Sequence, residues 1–252
     1  MGLLRVLRCG KDNKADMVPA DYVVNSCLAV AWDVASMKTL NNNKETQDQE
    51  SREEKFDKEI PVYNFVCTPE QPITWDEFQH LSTKHAPQIP TDKIVWRHML
   101  FMVKNKYLYN VLVFLLHTIP AYLIDFIIIC LGKKPLLVKG YQKINKFSDV
   151  IAYFSSNEWE FKNANTQALW NRMKKTDRQL FEFSMKLVNW DMYFYTYTRG
   201  ARTYLVKDKL DEDSLRRGKA KYYKLFVAHY ALCGLLLFLV FKFFMLIFGL
   251  LL

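Results

Sequence analysis

Histidine and carboxylate side chains are the groups in this sequence that could hold a metal ion or move a proton. The five histidines are His80, His85, His98, His117 and His229. His80 and His85 fall in a proline-rich stretch without a carboxylate or cysteine at metal-ligand spacing, so we expect both in an exposed loop. His117 and Asp125 lie two helical turns apart in an apolar segment interrupted by Pro120. They form either a functional polar pair or, as we favour, a structural pair with satisfied hydrogen bonds.

An aromatic run in the second half of the chain ends in two arginines. Its aromatic members are Trp190, Tyr193, Phe194, Tyr195 and Tyr197. Packing in a helical core is favoured over a belt at a membrane interface. Arg199 and Arg202 could instead contact a phosphate group, because guanidinium and phosphate form charge-assisted hydrogen bonds.

Two catalytic patterns are missing from the sequence. A nucleotide-phosphate loop needs closely spaced glycines, because the backbone must turn tightly and approach the pyrophosphate. The glycines, none close enough to another for that loop, are Gly2, Gly10, Gly132, Gly140, Gly200, Gly218, Gly234 and Gly249. A tyrosine acid assisted by lysine needs the lysine four positions after the tyrosine, and no tyrosine here has that neighbour. We therefore predict no catalytic and no cofactor-binding residue in this chain.

The cysteines predict neither a disulfide framework nor a zinc site. They are Cys9, Cys27, Cys67, Cys130 and Cys233. Their number is odd and no two have metal-ligand spacing, so we predict no metal site and a reducing compartment.

Charge and apolar residues are segregated along the chain. The formal net charge is +9, and half of the residues are apolar. Lysine and arginine residues sit next to long apolar runs, so anionic lipid is a nearer partner than nucleic acid. No recognised nucleic-acid-binding motif accompanies the charge, and we predict no nucleic-acid partner.

The first hundred residues predict short mixed elements. Residues 3–7 and 60–66 have the pattern of strands, residues 21–38 of a helix, and residues 40–59 of an exposed polar loop. One face of the helix carries Val24, Leu28, Ala31, Trp32 and Ala35. Thr74 and Glu77 have the spacing of a capping box that opens another helix. This order is typical of the closing portion of an α/β domain, with too few strands for a sheet of its own.

Two apolar segments bear on membrane attachment. Residues 107–131 are long enough to cross a bilayer, but His117, Pro120 and Asp125 interrupt them. Three alternatives stay open: a membrane span, an interfacial or re-entrant helix pair that meets at the proline, and a buried core. Residues 225–252 predict a transmembrane helix, with Lys242 either reaching toward an interface or pairing with another chain. The basic cluster just before it comprises Arg216, Arg217, Lys219, Lys221 and Lys224. Because such clusters stay on the cytoplasmic side, we expect a single C-terminal anchor with the body in the cytosol.

Residues 141–217 predict amphipathic helices between these segments. Their apolar positions recur at helical spacing and include Leu169, Met173, Leu180, Phe181, Leu187 and Val188. Asn165 is a candidate N-cap. The predicted fold class is mixed: an incomplete Rossmann-like α/β remnant at 1–100, an apolar helical segment at 101–139, a helical domain at 140–222 and a tail anchor at 225–252.

Two stretches resemble the alcohol-forming fatty acyl-CoA reductases of animals. Residues 2–32 read GLLRVLRCGKDNKADMVPADYVVNSCLAVAW, and residues 61–78 read PVYNFVCTPEQPITWDEF. Together they are similar to the last segments of that family's reductase domain. The run from GKKPLLVKGYQKI at 132–144 to GARTYLVK at 200–207 resembles the family's C-terminal helical domain. Between them stand Trp159, Phe161, Asn163, Asn165, Asp177, Phe181, Trp190 and Tyr193.

The resemblance implies NADPH-dependent reduction of a long-chain fatty acyl-CoA to a primary alcohol, at the membrane of the endoplasmic reticulum or peroxisome. The family's glycine-rich loop and its Tyr and Lys pair lie upstream of the matched region, so no catalytic residue carries over. We expect a part of such a reductase that is inactive alone. The alternative is a non-catalytic, tail-anchored acyl-chain or partner-binding module that modulates a full-length reductase. A homo-oligomer is a further expected partner state.

Overall fold

The computed structural model describes residues 2–45 and 60–251 and is mostly helical. A small sheet holds the strands β1 (Val6–Leu7) and β2 (Phe101–Met102). The α-helices are α1 (Ala20–Glu45), α2 (Trp75–His85), α3 (Lys106–Val113), α4 (Ile119–Cys130), α5 (Leu137–Ser156), α6 (Ala164–Arg172), α7 (Lys175–Leu180), α8 (Trp190–Gly200) and α9 (Glu212–Leu251). The π-helical turns are Phe114–Thr118 and Ala201–Leu205, and Met185–Leu187 is a 3₁₀ turn.

The described residues divide into two compact units. Unit 1 draws on Met1–Asn13, Trp75–Asn157 and Trp190–Leu252, and unit 2 on Lys14–Thr74 and Glu158–Asn189. Each unit therefore joins segments that are distant in sequence.

In unit 1 the two strands run parallel, with Val6 opposite Phe101. The N–H of Phe101 donates to the carbonyl of Arg5 at 2.8 Å. The strand predicted at residues 3–7 is thus confirmed over two residues. Beyond β1, the N–H of Gly10 donates to the carbonyl of Ser155 at 3.0 Å, which ties the sheet to the end of α5.

Helix α3, the π-helical turn and α4 form one continuous segment, Lys106–Cys130, which we call the apolar helix. Pro120 lies in the first turn of α4. Proline has no N–H and crowds the preceding turn, and the wider π-helical turn accommodates it without ending the helix. Most of the segment is exposed, so the interpretation as a buried soluble core is wrong.

Helices α4 and α5 form a hairpin held by one carboxylate. Gly132 takes a φ of 71° in the turn, a left-handed conformation that favours glycine. Asp125 accepts hydrogen bonds from the backbone N–H groups of Leu136, Leu137 and Val138 at 3.1, 3.0 and 2.9 Å. It therefore caps the N-terminus of α5 from the neighbouring helix, satisfying donors that no side chain of α5 reaches.

The first part of α9 packs within unit 1, and the rest does not. The indole N–H of Trp96 faces His229 Nδ1 at 3.3 Å, and the Arg97 guanidinium lies over the rings of Phe226 and Tyr230. From residue 231 to 246, side chains are exposed apart from the half-buried Cys233. By length and composition alone, α9 and the apolar helix could each cross a membrane.

Unit 2 is built on contacts between α1 and the α6 region. Its core comprises Ala29, Leu169, Met173 and Phe183. Phe183 makes edge-on contacts with Trp170 at 4.9 Å and Phe65 at 6.1 Å between ring centroids. Rings at these distances and angles stabilise a core beyond the area they bury.

The apolar face that the sequence predicts for α1 points outward. Val24, Leu28 and Trp32 are 58%, 52% and 51% exposed. The buried positions are instead Ser26, Ala29 and Asp33, because Asp33 is held by Arg172 and Tyr63. The helix also continues through residues 40–45, which were expected in the polar loop, and residues 46–59 of that loop lie outside the described chain.

Three further predictions are wrong in detail. Residues 60–66 form no strand, since the carbonyls of Val62 and Asn64 accept from side chains of Asn165 and Thr166. Asn165 is therefore not the N-cap of α6, which is Asn163. Among the apolar positions expected to pack, Leu180 and Leu187 are exposed, because residues 174–189 break into a short helix and a 3₁₀ turn.

Replacing Asp125 by alanine should fray the start of α5, because three backbone donors lose their acceptor. We expect amide hydrogen exchange at residues 136–138 to quicken about tenfold. Asp149→Ala, which removes an exposed carboxylate from α5, is the matched control and should leave these amides unchanged. Equal protection in both variants would show that Asp125 does not hold the hairpin.

Candidate functional site

His117 and Asp125 do not contact each other as a pair. His117 is fully buried, and its Nε2 accepts from the N–H groups of Arg5 and Val6 at 3.0 and 3.3 Å. Its Nδ1 lies 3.2 Å from Asn145 Oδ1. Both ring nitrogens are thus used, and Asp125 is used by the α5 cap, so neither group is available to a substrate. The interpretation of both groups as structural is right, but their pairing with each other is wrong.

His80 and His85 lie on α2, not in a loop, and only His80 is exposed. His85 is 4% exposed, with Nε2 at 3.1 Å from Asp191 Oδ1. A hydrogen bond from Lys84, with a smaller one from His85, lowers the pKa of Asp191 despite partial desolvation. A histidine–carboxylate contact can serve as an acid–base pair, but burial under Tyr195 gives this one a structural role.

Arg202 is not free to bind a phosphate group. Its guanidinium is buried and donates to Asp208 Oδ2 at 3.1 Å and to Ser214 Oγ at 2.6 Å. Thr91 Oγ donates to the same carboxylate at 2.6 Å. Burial acts to raise the pKa of Asp208, but these hydrogen bonds and the arginine charge outweigh it and hold the pKa below its usual value. Arg199 is exposed and lies over the ring of Tyr195.

The aromatic run contributes to the core of unit 1, as favoured from the sequence. Phe194 is fully buried and meets Phe78 edge-on at 5.1 Å between centroids. Tyr197 at the end of the run is 46% exposed. The core interpretation is therefore confirmed for Phe194.

Neither a metal-ligand cluster nor a reactive buried thiol is found among the described residues. No group of three or more potential metal ligands comes together there. Burial raises the pKa of the Cys9 thiol to about 11 and that of Cys67 to about 12. Such thiols carry almost no thiolate at neutral pH and are poor nucleophiles.

The feature best suited to a ligand is an apolar groove of about 400 Å³ in unit 2. We call it the α1 groove; its lining residues are Leu28, Ala29, Trp32, Met173, Asp177 and Phe181. Its volume falls in the range of small-molecule sites, and Asp177 is its one charged group. Such a groove can hold a hydrocarbon chain, and Asp177 is the one side chain in its lining that could act as an acid or base. Sequence reasoning placed Leu28 and Trp32 on an apolar helix face and Met173 and Phe181 among recurring apolar positions, because periodicity does not show which side of a helix is covered.

Beside the groove lies an ion pair between the buried Asp33 and the partly exposed Arg172, which connects α1 with the end of α6. Arg172 Nε donates to Asp33 Oδ1 at 3.2 Å, and Tyr63 donates to Asp33 Oδ2 at 2.7 Å. Desolvation and the hydrogen bond to Asp33 raise the pKa of the Tyr63 phenol. The pair lies next to the groove in sequence, since Asp33 follows Trp32 on α1 and Arg172 precedes Met173.

Comparison with known proteins identifies relatives of nearly the whole chain. Residues 116–208 match the Sterile family, described as male sterility protein. The chain is 37% identical over 229 residues to fatty acyl-CoA reductase wat of Drosophila melanogaster. It is 25% identical over 209 residues to fatty acyl-CoA reductase 1 of Xenopus laevis and of Homo sapiens.

The chain is homologous to the fatty acyl-CoA reductases of animals. The alignments cover 91% of this chain with the Drosophila relative and 83% with the vertebrate ones. The chain spans about 40% of the length of the Drosophila relative and 37% of the vertebrate reductases. The resemblance inferred from the sequence is confirmed. The Sterile match begins just before His117 and ends at Asp208, so it contains His117, Asp125, Arg202 and Asp208, which fasten unit 1.

Arg202→Met should destabilise unit 1 by about 3–5 kcal/mol, because it leaves the Asp208 carboxylate buried without its cation. Arg216→Met, which removes an exposed pair with Asp213, is the control and should change stability little. Thermal unfolding followed by tryptophan fluorescence in detergent compares them. Equal melting temperatures for the two variants would contradict a structural role for Arg202.

Proposed function

We propose that this chain supplies the acyl-binding and membrane-attached part of an alcohol-forming fatty acyl-CoA reductase. The reaction is NADPH-dependent reduction of a long-chain fatty acyl-CoA to a primary alcohol. The observation that carries the proposal is the 37% identity over 91% of the chain to a fatty acyl-CoA reductase. The α1 groove supports it, since a mostly apolar groove with one carboxylate suits the hydrocarbon end of the substrate.

The hydride and proton donors must come from residues beyond those of this chain. A dinucleotide needs closely spaced glycines at a helix N-terminus, and the sequence has no such run. No tyrosine is followed by lysine four positions later. NADPH would therefore bind to another part of the reductase, and this chain would hold the acyl group near it.

The outward face of α1 supports contact with that other part. Val24, Leu28 and Trp32 recur every four residues and are all more than half exposed. Together they leave an apolar stripe in water, which is costly until another surface covers it. A nucleotide-binding part packed there would also close the α1 groove, because Leu28 and Trp32 line both.

The end of α9 would anchor the protein in the membrane. Helix α9 packs against Trp96 and Arg97 as far as Tyr230, and it continues to Leu251. These last 21 residues extend roughly 30 Å, which is the thickness of the hydrocarbon core. The basic cluster before them favours a cytosolic body. The endoplasmic reticulum or peroxisome follows from the resemblance.

A second candidate function is a non-catalytic module that pairs with a full-length reductase and modulates it. The outward apolar face of α1 favours this alternative equally well, since the covering surface can belong to a separate chain. The two candidates differ in one respect: only the first requires this sequence to support turnover when joined to a nucleotide-binding part.

A chimaera tests the first candidate. The matching 40% of the Drosophila reductase is replaced by this chain, and membranes are assayed for alcohol formed from acyl-CoA and NADPH. We expect activity. A chimaera that folds and reaches the membrane but forms no alcohol would leave only the modulating module.

In the active chimaera, Leu28→Trp should raise KM about tenfold for a long acyl chain and little for a short one. The added ring occupies space otherwise filled by a few methylenes, each worth about 0.8 kcal/mol. Leu180→Trp, at an exposed position that does not line the groove, is the matched control. An equal increase in KM at every chain length would instead indicate damage to the contact between α1 and the nucleotide-binding part.

The chain alone should form no alcohol from acyl-CoA and NADPH. Its residues offer neither the dinucleotide loop nor the tyrosine acid, so even slow turnover is not expected. Purified chain in lipid nanodiscs is assayed beside the Drosophila reductase as the positive control. Alcohol formation by the chain alone would overturn the assignment of both donors to another part.

A further inference from the structure

The apolar helix has one covered face and one open face. Its buried side chains are Tyr109, His117, Ala121 and Asp125. They recur at multiples of four residues. The π-helical turn at Phe114–Thr118 offsets the drift that this spacing has in an α-helix, so they follow a single side. The opposite side is apolar and exposed, and its members include Leu108, Val111, Leu115, Tyr122, Leu123, Phe126 and Ile129.

The middle of the covered face is fastened to a part of the protein that cannot enter hydrocarbon. His117 accepts hydrogen bonds from the backbone of Arg5 and Val6, next to the short parallel sheet. If the apolar helix crossed a bilayer, its midpoint would carry this two-stranded sheet and Arg5 to mid-depth. Open strand edges and charged side chains are not tolerated against lipid at that depth.

The hairpin of α4 and α5 also argues against a membrane crossing. Asp125 holds the start of α5 beside α4, so α5 would have to return through the bilayer alongside it. Lys139, Lys143 and Lys146 form an exposed row on α5. A returning helix would place this row in hydrocarbon, where lysine is strongly disfavoured.

The positive charge of the protein is concentrated around this helix. Between Asp92 and Asp149 the only carboxylate is Asp125, and it is occupied by the α5 cap. The nine cations in that interval are Lys93, Arg97, Lys104, Lys106, Lys133, Lys134, Lys139, Lys143 and Lys146. Nine cations and one carboxylate leave +8 here, against +9 for the whole chain. A lipid surface with anionic headgroups complements both the charge and the open apolar face.

We propose that the apolar helix lies in the plane of an anionic membrane surface and does not cross it. Its open face sinks into the boundary between headgroups and acyl chains, and the lysines at its two ends and on α5 contact lipid phosphates. This membrane contact is separate from the α9 anchor, and it does not depend on the proposed reductase activity.

Depth-dependent quenching tests the orientation in the full chain. Leu108, Leu115 and Phe126 lie at the start, middle and end of the open face and are each replaced in turn by a cysteine bearing a fluorophore. Cys27, Cys130 and Cys233 are first changed to serine, whereas the buried Cys9 and Cys67 are kept. The protein is placed in vesicles of phosphatidylcholine with about 30% phosphatidylserine, carrying nitroxide quenchers at defined depths.

An in-plane helix predicts one shallow depth, about 5–10 Å below the headgroups, at all three positions. A crossing helix predicts shallow ends and a deep label at position 115, which would overturn the proposal. Absence of quenching at all three positions would overturn it too, and would indicate that protein covers the face.

Sided labelling gives an independent answer. Lys104→Cys and Lys133→Cys flank the apolar helix, and a membrane-impermeant maleimide should label both from the side of the body. Labelling of only one until the vesicles are lysed would mean that the helix crosses. Leu251→Cys reports on α9. Labelling at this site before lysis would contradict the tail anchor, whereas the in-plane orientation of the apolar helix is judged from the other two sites alone.

Charge reversal tests the choice of lipid. The triple variant Lys133→Glu, Lys134→Glu, Lys143→Glu should at least halve the quenching of the label at position 126 in phosphatidylserine vesicles. The control variant Lys174→Glu, Lys175→Glu, Lys186→Glu reverses three exposed lysines of unit 2 and should leave it unchanged. Equal quenching in both variants would show that anionic lipid is not the partner.

Discussion

The fold of unit 1 depends on one buried imidazole ring. His117 uses Nε2 to accept from the backbone beside β1, and Nδ1 to contact Asn145 of α5. Because Nε2 accepts, the proton lies on Nδ1 and the ring is held as one neutral tautomer. Strand, apolar helix and α5 are thus fastened at one point. Tyr141 covers the ring with a centroid distance of 4.7 Å and so keeps water from these bonds.

The other conspicuous polar groups have the same architectural use. Asp125 supplies the start of α5 with its acceptor, and Arg202 joins Asp208 and Ser214 at the start of α9. A buried polar group is stable only when its partners are in place, so each of these clusters fixes the relative position of two elements. These side chains could do chemistry in other surroundings, but here their polar atoms hold the fold together. The α1 groove, which is best suited to a ligand, is mostly apolar.

Sequence patterns predicted the presence of most helices but not what covers them. The apolar character of α9 and the helical spacing around Leu169 are local properties, and both appear in the structure. His85 was expected in an exposed loop but is buried. Its contact with Asp191 could not be predicted from local pattern, because the two residues are 106 positions apart in sequence. The Rossmann-like character of residues 1–100 is not confirmed by a two-stranded sheet. The segment boundaries near residues 100, 139 and 222 stay predictions.

Periodicity identifies an apolar face without saying what that face meets. On α1, Asp33 is drawn inward by its ion pair with Arg172, and the apolar stripe through Trp32 turns outward as a consequence. The apolar helix and the end of α9 have nearly the same composition, yet the first has a fastened face and the second is exposed on all sides from Gly234 to Leu246. A helix covered on one side can lie on a lipid surface, whereas a helix covered on none must be surrounded by lipid or by another chain. Long-range polar contacts, which are not visible in a hydropathy pattern, therefore decide how each apolar helix meets its surroundings.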